Sequence, residues 1–307
     1  MNAGSSAATS AKQSLVLTAA GLIGVYLLIG GPPLVGAEDA NIGFRYARNL
    51  AEGHGLVFNP GGETVEGFTS LLWAFTMGAV YLVVGAGGLE VALLMISFFL
   101  TAFALGCVLW VLHGRVRGPG YWVATAWLAS LAGYFLWSGL TLMDVAIWSA
   151  SLTVFVLAIY LRIHRDLGTR WHLPVIVVAL SLARPDTLLV APAIVCVALA
   201  VYGLGPETRR LAIEVGGTMI VATVALIGFR IAYFGYPLPN TYYLKLGGGS
   251  KAERLAMGAS RFRDVVGYQL WPFIVLTLPA LLLARSMRSR LPLLIAMLCA
   301  GQVAFSI

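Results

Sequence analysis

The sequence predicts an all-α polytopic membrane protein, a bundle of transmembrane helices with a helical first extracytoplasmic loop. Of its 307 residues, 59% are hydrophobic and only 11% are charged, whereas an ordinary soluble chain carries roughly a quarter charged residues. Apolar stretches long enough to cross a hydrocarbon core, which takes about 20 helical residues, recur along the chain. A water-soluble domain of this size cannot bury so much apolar surface. We therefore expect the lipid bilayer to be the solvent of this chain.

The apolar stretches define about nine or ten hydrophobic segments within one transmembrane domain, residues 14–307. Residues 1–13 are small and polar, and we expect them to form a disordered cytoplasmic N-terminus. The first apolar run is longer than a signal-peptide core and lacks a cleavage site, so it is interpreted as a retained helix. The candidate spans are 14–36, 69–86, 89–112, 120–137, 142–161, 172–184, 187–203, 211–234, 269–284 and 291–307.

The charge pattern indicates an orientation in the membrane rather than a nucleic-acid partner. The formal net charge is +7, but much of the excess lies in short connectors between apolar runs, as positive-inside sorting requires. We place four such connectors in the cytoplasm: 113–117, 162–170, 209–210 and 285–290. The three cysteines, Cys107, Cys196 and Cys299, lie in apolar segments without paired spacing, which favours small buried side chains over a disulfide or metal framework.

This orientation predicts that several polar segments lie together on the opposite, extracytoplasmic face. They are the loop 37–68, residues 138–144, the break at 184–186 and the stretch 235–268. Two full crossings between the loop and His113 would place His113 outside. One of the segments 69–86 and 89–112 is therefore expected to be re-entrant or to lie flat.

The loop 37–68 is the least membrane-like part of the chain. Asp39 can cap a helix that runs to about Glu52, on which Asp39 and Tyr46 share a face with Ile42 and Gly43. The tripeptide 53–55 then stops the helix, and the sequence Asn-Pro-Gly-Gly at 59–62 predicts a turn.

Three groups of polar residues have both a structural and a functional interpretation. The adjacent acids Glu38 and Asp39 are either a helix start or a catalytic pair. Arg184-Pro185-Asp186 interrupts an apolar run, and it forms either a structural ion pair or a break between two half-length helices that line a wet cavity. The tyrosines of 233–245 suit an aromatic belt, whereas Lys245 is placed to hold a lipid phosphate.

His54 has neither a second histidine nor an acidic partner at metal-ligand spacing, and we predict no metal and no cofactor.

Three sequence segments resemble bacterial GT-C glycosyltransferases, especially the actinobacterial arabinofuranosyltransferase B family. Residues 38–73, beginning EDANIGFRYARNLAEGHG, are similar to the first outer loop of these enzymes. SLARPDTLLV at 181–190 resembles their Arg-Pro-Asp/Glu-Gly segment. YFGYPLPNTYYLK at 233–245 resembles their Tyr-Gly-x-x-x-Pro-Asn-Thr-x-Tyr-x-Lys segment. The three motifs occur in the family's order and cover most of the chain.

The resemblance implies an inverting transferase of the bacterial plasma membrane with its active site on the extracytoplasmic face. The donor would be a polyprenyl-phosphate sugar, with arabinofuranose favoured, and the acceptor a cell-envelope glycan or glycolipid. Asp39 would be the general base that takes the proton from the acceptor hydroxyl, and Glu38 would assist it.

The departing phosphate would be neutralised by cations, for which the resemblance gives Arg45, Arg184 and Lys245. The implied sugar and acceptor contacts are Tyr46, His54, Glu66, Asn240, Asp186 and Asp144.

The chain departs from the family pattern in three places. Glu38 stands where relatives have aspartate. Relatives have an acid at the position of Thr141, so either Asp144 substitutes from nearly one helical turn away or the second acid is lost. Relatives also continue with more spans and a soluble outer domain, which we expect to be absent here or supplied by a partner chain.

Two other functions compete with this interpretation. The change at Thr141 and the end of the chain at Ile307 are compatible with an inactive relative that acts as a scaffold in cell-wall assembly. A lipid or solute transporter is the second alternative. It predicts inverted repeats and ionisable residues near the membrane midplane in several helices, and the sequence shows neither.

Overall fold

The computed structural model describes residues 38–115, 140–165 and 172–246, together with Glu253, Ala256, Ala259 and Ser260. The candidate spans 14–36, 120–137, 269–284 and 291–307 lie outside these residues, as does the N-terminal segment 1–13. Seven helices are delimited within the described ranges, and no strand is found there. They are α1 (Glu38–Ala51), α2 (Leu71–Arg115), α3 (Val145–Arg165), α4 (His172–Ala183), α5 (Thr187–Tyr202), α6 (Pro206–Phe234) and α7 (Asn240–Leu246).

Three described helices are long and apolar enough to cross a membrane. The qualifying segments are Leu71–Val108, Val145–Ile163 and Pro206–Phe234, and two further apolar helices, α4 and α5, are shorter. The prediction of an all-α membrane protein is confirmed. The predicted span 211–234 begins earlier, at Pro206, because proline suits the first turn of a helix, where its missing N–H would have no helical partner.

The predicted break between 172–184 and 187–203 is present. α4 ends at Ala183 and α5 begins at Thr187. Pro185 disfavours helical geometry at the residue before it. The Leu180 carbonyl accepts two hydrogen bonds at this break, from the Arg184 N–H at 3.2 Å and from the Thr187 hydroxyl at 2.7 Å.

The predicted segments 69–86 and 89–112 form one helical element with a single interruption. α2 departs from helical geometry at Gly85, where φ is 65° and ψ is −174°. This backbone region is accessible almost only to glycine. The direction of the chain changes there without an intervening loop, and the expectation that one half is re-entrant or flat stays a prediction.

A small apolar cluster around Tyr46, Phe68 and Phe234 joins α1, the loop after it and the end of α6, and two larger clusters hold the described helices together. The larger one packs α3, α4, α5 and α6 around Phe155, Val177 and Leu211, each with an exposed fraction of 0%. The second joins α1 to α2 and to residues 140–142 through Ala47, Trp73 and Leu142. The Trp73 indole also donates a 3.0 Å hydrogen bond to the Leu142 carbonyl. The short segment 140–144 is thereby fixed beside α1.

Ionic contacts lie at both ends of this helix layer. Arg162, near the end of α3, donates a 2.5 Å hydrogen bond to Glu214 near the start of α6, whereas Arg230 lies near the end of α6. The sixteen residues from Glu214 to Arg230 correspond to about 24 Å of helix. We call the end that carries Asp144, Arg184 and Arg230 the site end, and the end that carries Arg162 the opposite end.

Replacement of Gly85 by alanine is expected to destabilise the protein, because a Cβ atom is strained at that φ and ψ. The expected loss is about 1–3 kcal/mol of the free energy of unfolding, measured by denaturant titration in detergent micelles. Gly87→Ala is the matched control: Gly87 lies on the same helix, and a Cβ added there meets nothing within 4 Å. Equal effects of the two variants would contradict the assigned kink.

Candidate functional site

One face of α1 is a packing face, and Asp39 lies at its exposed end. Asp39 itself is exposed, whereas Gly43 and Tyr46 on the same face are buried. A Cβ at Gly43 would lie 2.7 Å from the Met77 methyl group, so α2 approaches α1 closely there. The helix already includes Glu38, which places Asp39 within its first described turn rather than at a capping position before it. Its carboxylate is accessible and is carried by a fixed helix.

Tyr46 supports the loop that follows α1. Its side chain is only 1% exposed. Its hydroxyl donates to the Val65 carbonyl and accepts a 3.0 Å hydrogen bond from the Gly67 N–H. Burial raises the pKa of the Tyr46 hydroxyl, the Gly67 N–H opposes this shift, and the nearby Glu66 carboxylate adds to it. The sugar contact that the resemblance implied stays a prediction, whereas the structure shows Tyr46 almost fully buried and bonded to the backbone of the loop.

Arg45 fixes the turn at 59–62. Its Nε donates a 2.9 Å hydrogen bond to the Phe58 carbonyl, and its Nη2 donates a 2.7 Å hydrogen bond to Asn59 Oδ1. The guanidinium carbon lies 4.5 Å from the centroid of the Phe58 ring, which adds a cation–π contact. Arg45 is nevertheless exposed, and a guanidinium has five N–H donors. Its assignment to the donor phosphate stays a prediction.

Glu66 and Arg230 form a buried bidentate ion pair across 164 residues of sequence. Arg230 Nε lies 2.8 Å from Oε2 of Glu66, and Arg230 Nη2 lies 3.0 Å from Oε1. The two side chains are 2% and 4% exposed. Burial raises the pKa of the Glu66 carboxyl, and the Arg230 guanidinium opposes that shift. The expected sugar contact of Glu66 stays a prediction, whereas the structure shows its almost fully buried carboxylate holding the loop on α6.

The loop is attached to the end of α6 and the start of α7 by two further hydrogen bonds. The Asn240 N–H donates to the Glu66 carbonyl at 3.1 Å, and the Leu56 N–H donates to the Tyr233 hydroxyl at 2.8 Å. A Cβ at Gly55 would lie 2.5 Å from that hydroxyl, so only glycine fits there. The predicted assembly of the loop with the segment after 234 is confirmed for these residues.

The break between α4 and α5 carries a second ionic cluster. Arg184 Nε lies 2.8 Å from Asp186 Oδ2, and Arg184 Nη1 lies 3.6 Å from Asp144 Oδ2. Asp144 is largely buried, with 10% of its side chain exposed, against 40% for Asp186. The two acids were expected to contact sugar or acceptor, and the structure places both of them on Arg184. Asp144 therefore provides a carboxylate beside the break.

The remaining predicted site residues are less constrained by the described structure. His54 is exposed in the loop, and Asn240 is exposed at the first position of α7. The side chains of Glu38 and Lys245 lie outside the described part of the chain, although both residues belong to helices. Within that part, no group of three histidine, cysteine or acidic side chains could hold a metal ion.

An apolar groove of about 660 Å³ lies beside this site. It runs between the first turns of α2, the second half of α4 and residues 217–229 of α6, with Leu182 two residues from Arg184 and Phe229 next to Arg230. Its lining comprises Leu71, Phe75, Val178, Ser181, Leu182, Gly217, Thr218, Val221, Ala222, Ala225, Leu226 and Phe229. The groove can accept an apolar chain whose polar end lies at the site end.

Sequence reasoning missed Arg230 and the role of Tyr233. Arg230 lies within an apolar span, and an ionisable residue in such a position marks a functional or tightly paired site by default. That signal was present in the predicted segment 211–234. Its partner Glu66 could not have been identified, because nothing in the sequence relates two residues so far apart.

Comparisons with known proteins identify two similar arabinofuranosyltransferases. The chain is 29% identical over 274 residues to a terminal beta-(1->2)-arabinofuranosyltransferase of Mycobacterium tuberculosis, which covers 83% of this chain and 41% of that protein. It is 27% identical over 271 residues to the corresponding protein of Corynebacterium glutamicum, covering 80% of this chain and 38% of that one. No family model and no solved structure matches.

The chain spans about two fifths of the length of the relatives it matches. The resemblance to arabinofuranosyltransferases that three motifs predicted is confirmed by these alignments, which extend well beyond the motifs. This chain is thus a helical membrane protein that is similar in sequence, over about four fifths of its length, to two terminal arabinofuranosyltransferases.

Proposed function

We propose that this chain is a GT-C-type inverting glycosyltransferase that moves arabinofuranose from a polyprenyl-phosphate donor to a cell-envelope glycan or glycolipid. The reaction takes place on the extracytoplasmic face of the bacterial plasma membrane. The observation that carries the proposal is the similarity of four fifths of the chain to two arabinofuranosyltransferases. The exposed acid on α1, the cationic groups at the site end and the adjoining apolar groove support it.

Asp39 acts as the general base. It accepts the proton of the acceptor hydroxyl while that oxygen bonds to the anomeric carbon and the bond from this carbon to the phosphate oxygen breaks. The polyprenyl phosphate leaves with the electron pair of that bond and needs no proton. A base that is positioned in this way contributes typically 10²–10⁴-fold to the rate. Glu38 precedes Asp39 on the same helix and assists it.

The cations at the site end stabilise the departing phosphate. Arg45 is exposed on α1, and Arg184 is about one third exposed at the break before α5. Arg184 already faces two carboxylates, so a phosphate binds it best when the more exposed one, Asp186, moves aside. Lys245 of α7 completes the proposed set, and the apolar groove takes the first isoprene units of the lipid.

The anomeric outcome is a direct test of the inverting mechanism. A single displacement with Asp39 as base reverses the configuration at the anomeric carbon, whereas retention needs either two displacements or attack from the face that the phosphate leaves. The relatives are named for a β-(1→2) product, so inversion to that product requires an α-linked sugar phosphate. We expect NMR of donor and product to show opposite anomers. The same anomer in both would contradict the role of Asp39.

Asp39→Asn is expected to lower transfer from decaprenyl-phosphate-arabinose by about 100-fold or more, because the amide cannot accept the proton. Transfer of radiolabelled sugar to membrane acceptors measures the effect, with decaprenyl-phosphate-mannose as the competing donor. Glu63→Gln is the matched control, since it neutralises an exposed acid in the same loop. Equal labelling by the parent chain and Asp39→Asn would remove Asp39 from the mechanism.

Arg184→Gln is expected to raise the KM for the donor by about tenfold, the loss of roughly one charge-assisted hydrogen bond to phosphate. Asp186→Asn is expected to lower that KM, because it frees Arg184 from its closest carboxylate. Arg48→Gln serves as the control, since Arg48 is an exposed arginine paired to Glu52 on α1. A higher KM in Asp186→Asn would instead assign Asp186 to the sugar.

A further inference from the structure

We propose that Arg230 is a positioning residue for donor binding. It acts through Glu66 to hold the loop 52–70 and the segment 235–246 in one fixed arrangement relative to each other. This inference rests on the proposed function, in which residues of α1, which the loop follows directly, and Lys245 of the segment 235–246 contact one lipid-phosphate sugar. Neither residue touches the reacting atoms, because both are buried. Their role is to fix where the exposed residues of the two segments stand relative to each other.

The geometry of the pair fixes orientation as well as distance. Two nitrogens of Arg230 face both oxygens of Glu66, at 2.8 and 3.0 Å, with a third contact at 3.2 Å. Parallel hydrogen bonds of this kind restrict rotation about the contact, which a single lysine ammonium would not do. The loop therefore has one preferred orientation on the end of α6.

Glu66 is attached to the rest of the protein in two ways. Its side chain is bound to Arg230 on α6, and its backbone carbonyl accepts the Asn240 N–H at the start of α7. Between these two partners the chain turns at Gly235, whose φ is 80°, and passes through Pro237 and Pro239. One residue of the loop thus holds both sides of the connection between α6 and α7.

The same loop is bound to α1 on its other side. Tyr46 holds the backbone at Val65 and Gly67, the immediate neighbours of Glu66. Asn49 Nδ2 donates to the Val57 carbonyl at 2.7 Å. A continuous set of contacts therefore runs from α1, which carries Asp39, through the loop to α7. Arg230 is the ionic member of this set.

Stability alone gives little reason for an ion pair at this position. Burying two charges has a desolvation cost that can exceed their attraction, and apolar side chains of similar volume often serve equally well or better. Directional hydrogen bonds, in contrast, specify one arrangement among several of similar energy. A structural role predicts that an apolar pair replaces Glu66 and Arg230 without consequence, whereas a positioning role predicts a defect in donor binding.

The test compares Glu66→Leu combined with Arg230→Met against Glu214→Leu combined with Arg162→Met in the 307-residue chain. The second pair is the matched control, since it removes an ion pair that also involves α6 but lies at the opposite end. Hydrogen–deuterium exchange of residues 52–70 and 235–246 reports the coupling without any substrate. Steady-state transfer gives KM for the donor and kcat separately.

For the site-end double variant, we expect faster exchange in both segments together and a donor KM raised about tenfold. We expect kcat to change less than about twofold, because binding shared by ground and transition states affects KM alone. The opposite-end variant should leave both readouts unchanged. Arg230→Lys keeps the positive charge but loses the two parallel hydrogen bonds of the guanidinium. This variant should fold and still raise the donor KM, so it provides a test if the double variant does not fold.

The inference would be overturned if the site-end variants had the same exchange rates and the same donor KM as the parent chain. Faster exchange in only one of the two segments would also overturn it. A change in kcat with an unaltered KM would overturn the assignment to donor binding. If the parent chain transfers no sugar, the proposed function fails, while the exchange experiment still decides whether the two segments are coupled through Arg230.

Discussion

The cost of placing charge in a hydrocarbon solvent governs how this protein is organised. A chain with 11% charged residues and long apolar helices must collect its ionisable groups where the helices end, or pair them. α6 does both: it pairs Glu214 with Arg162 at the opposite end and Arg230 with Glu66 at the site end. Between these ends the described helices pack mainly through apolar clusters, and the candidate site lies at one end of the layer.

The site end consists of accessible groups carried by a buried framework. Tyr46 and the ion pair between Glu66 and Arg230 have almost no exposed surface, and their hydrogen bonds are made within the protein. Asp39 and Arg45 emerge from the same helix, α1, that this framework immobilises. Such an arrangement suits a transferase, since preorganised groups stabilise developing charge without reorganising during the reaction.

The sequence determined the helical membrane fold because hydrophobicity and helix length follow directly from the bilayer. It also determined the break at Pro185 and the helix after residue 37, since proline and amphipathic spacing act locally. The three motifs identified the related transferases. These features depend on residues close together in the sequence. The structure confirms the helices and the break within the residues it describes, and the alignments confirm the resemblance.

Only the tertiary structure decided which polar residues are partners and which are accessible. Motif position made Tyr46 and Glu66 candidate sugar contacts, yet both are buried whereas Asp39 is exposed, because exposure depends on neighbours from distant elements. Arg230 appeared only as one residue of an apolar span, and the 164 residues between it and Glu66 are bridged by folding alone. Local pattern fixes each helix, whereas the contacts that build the site join segments that the sequence keeps far apart.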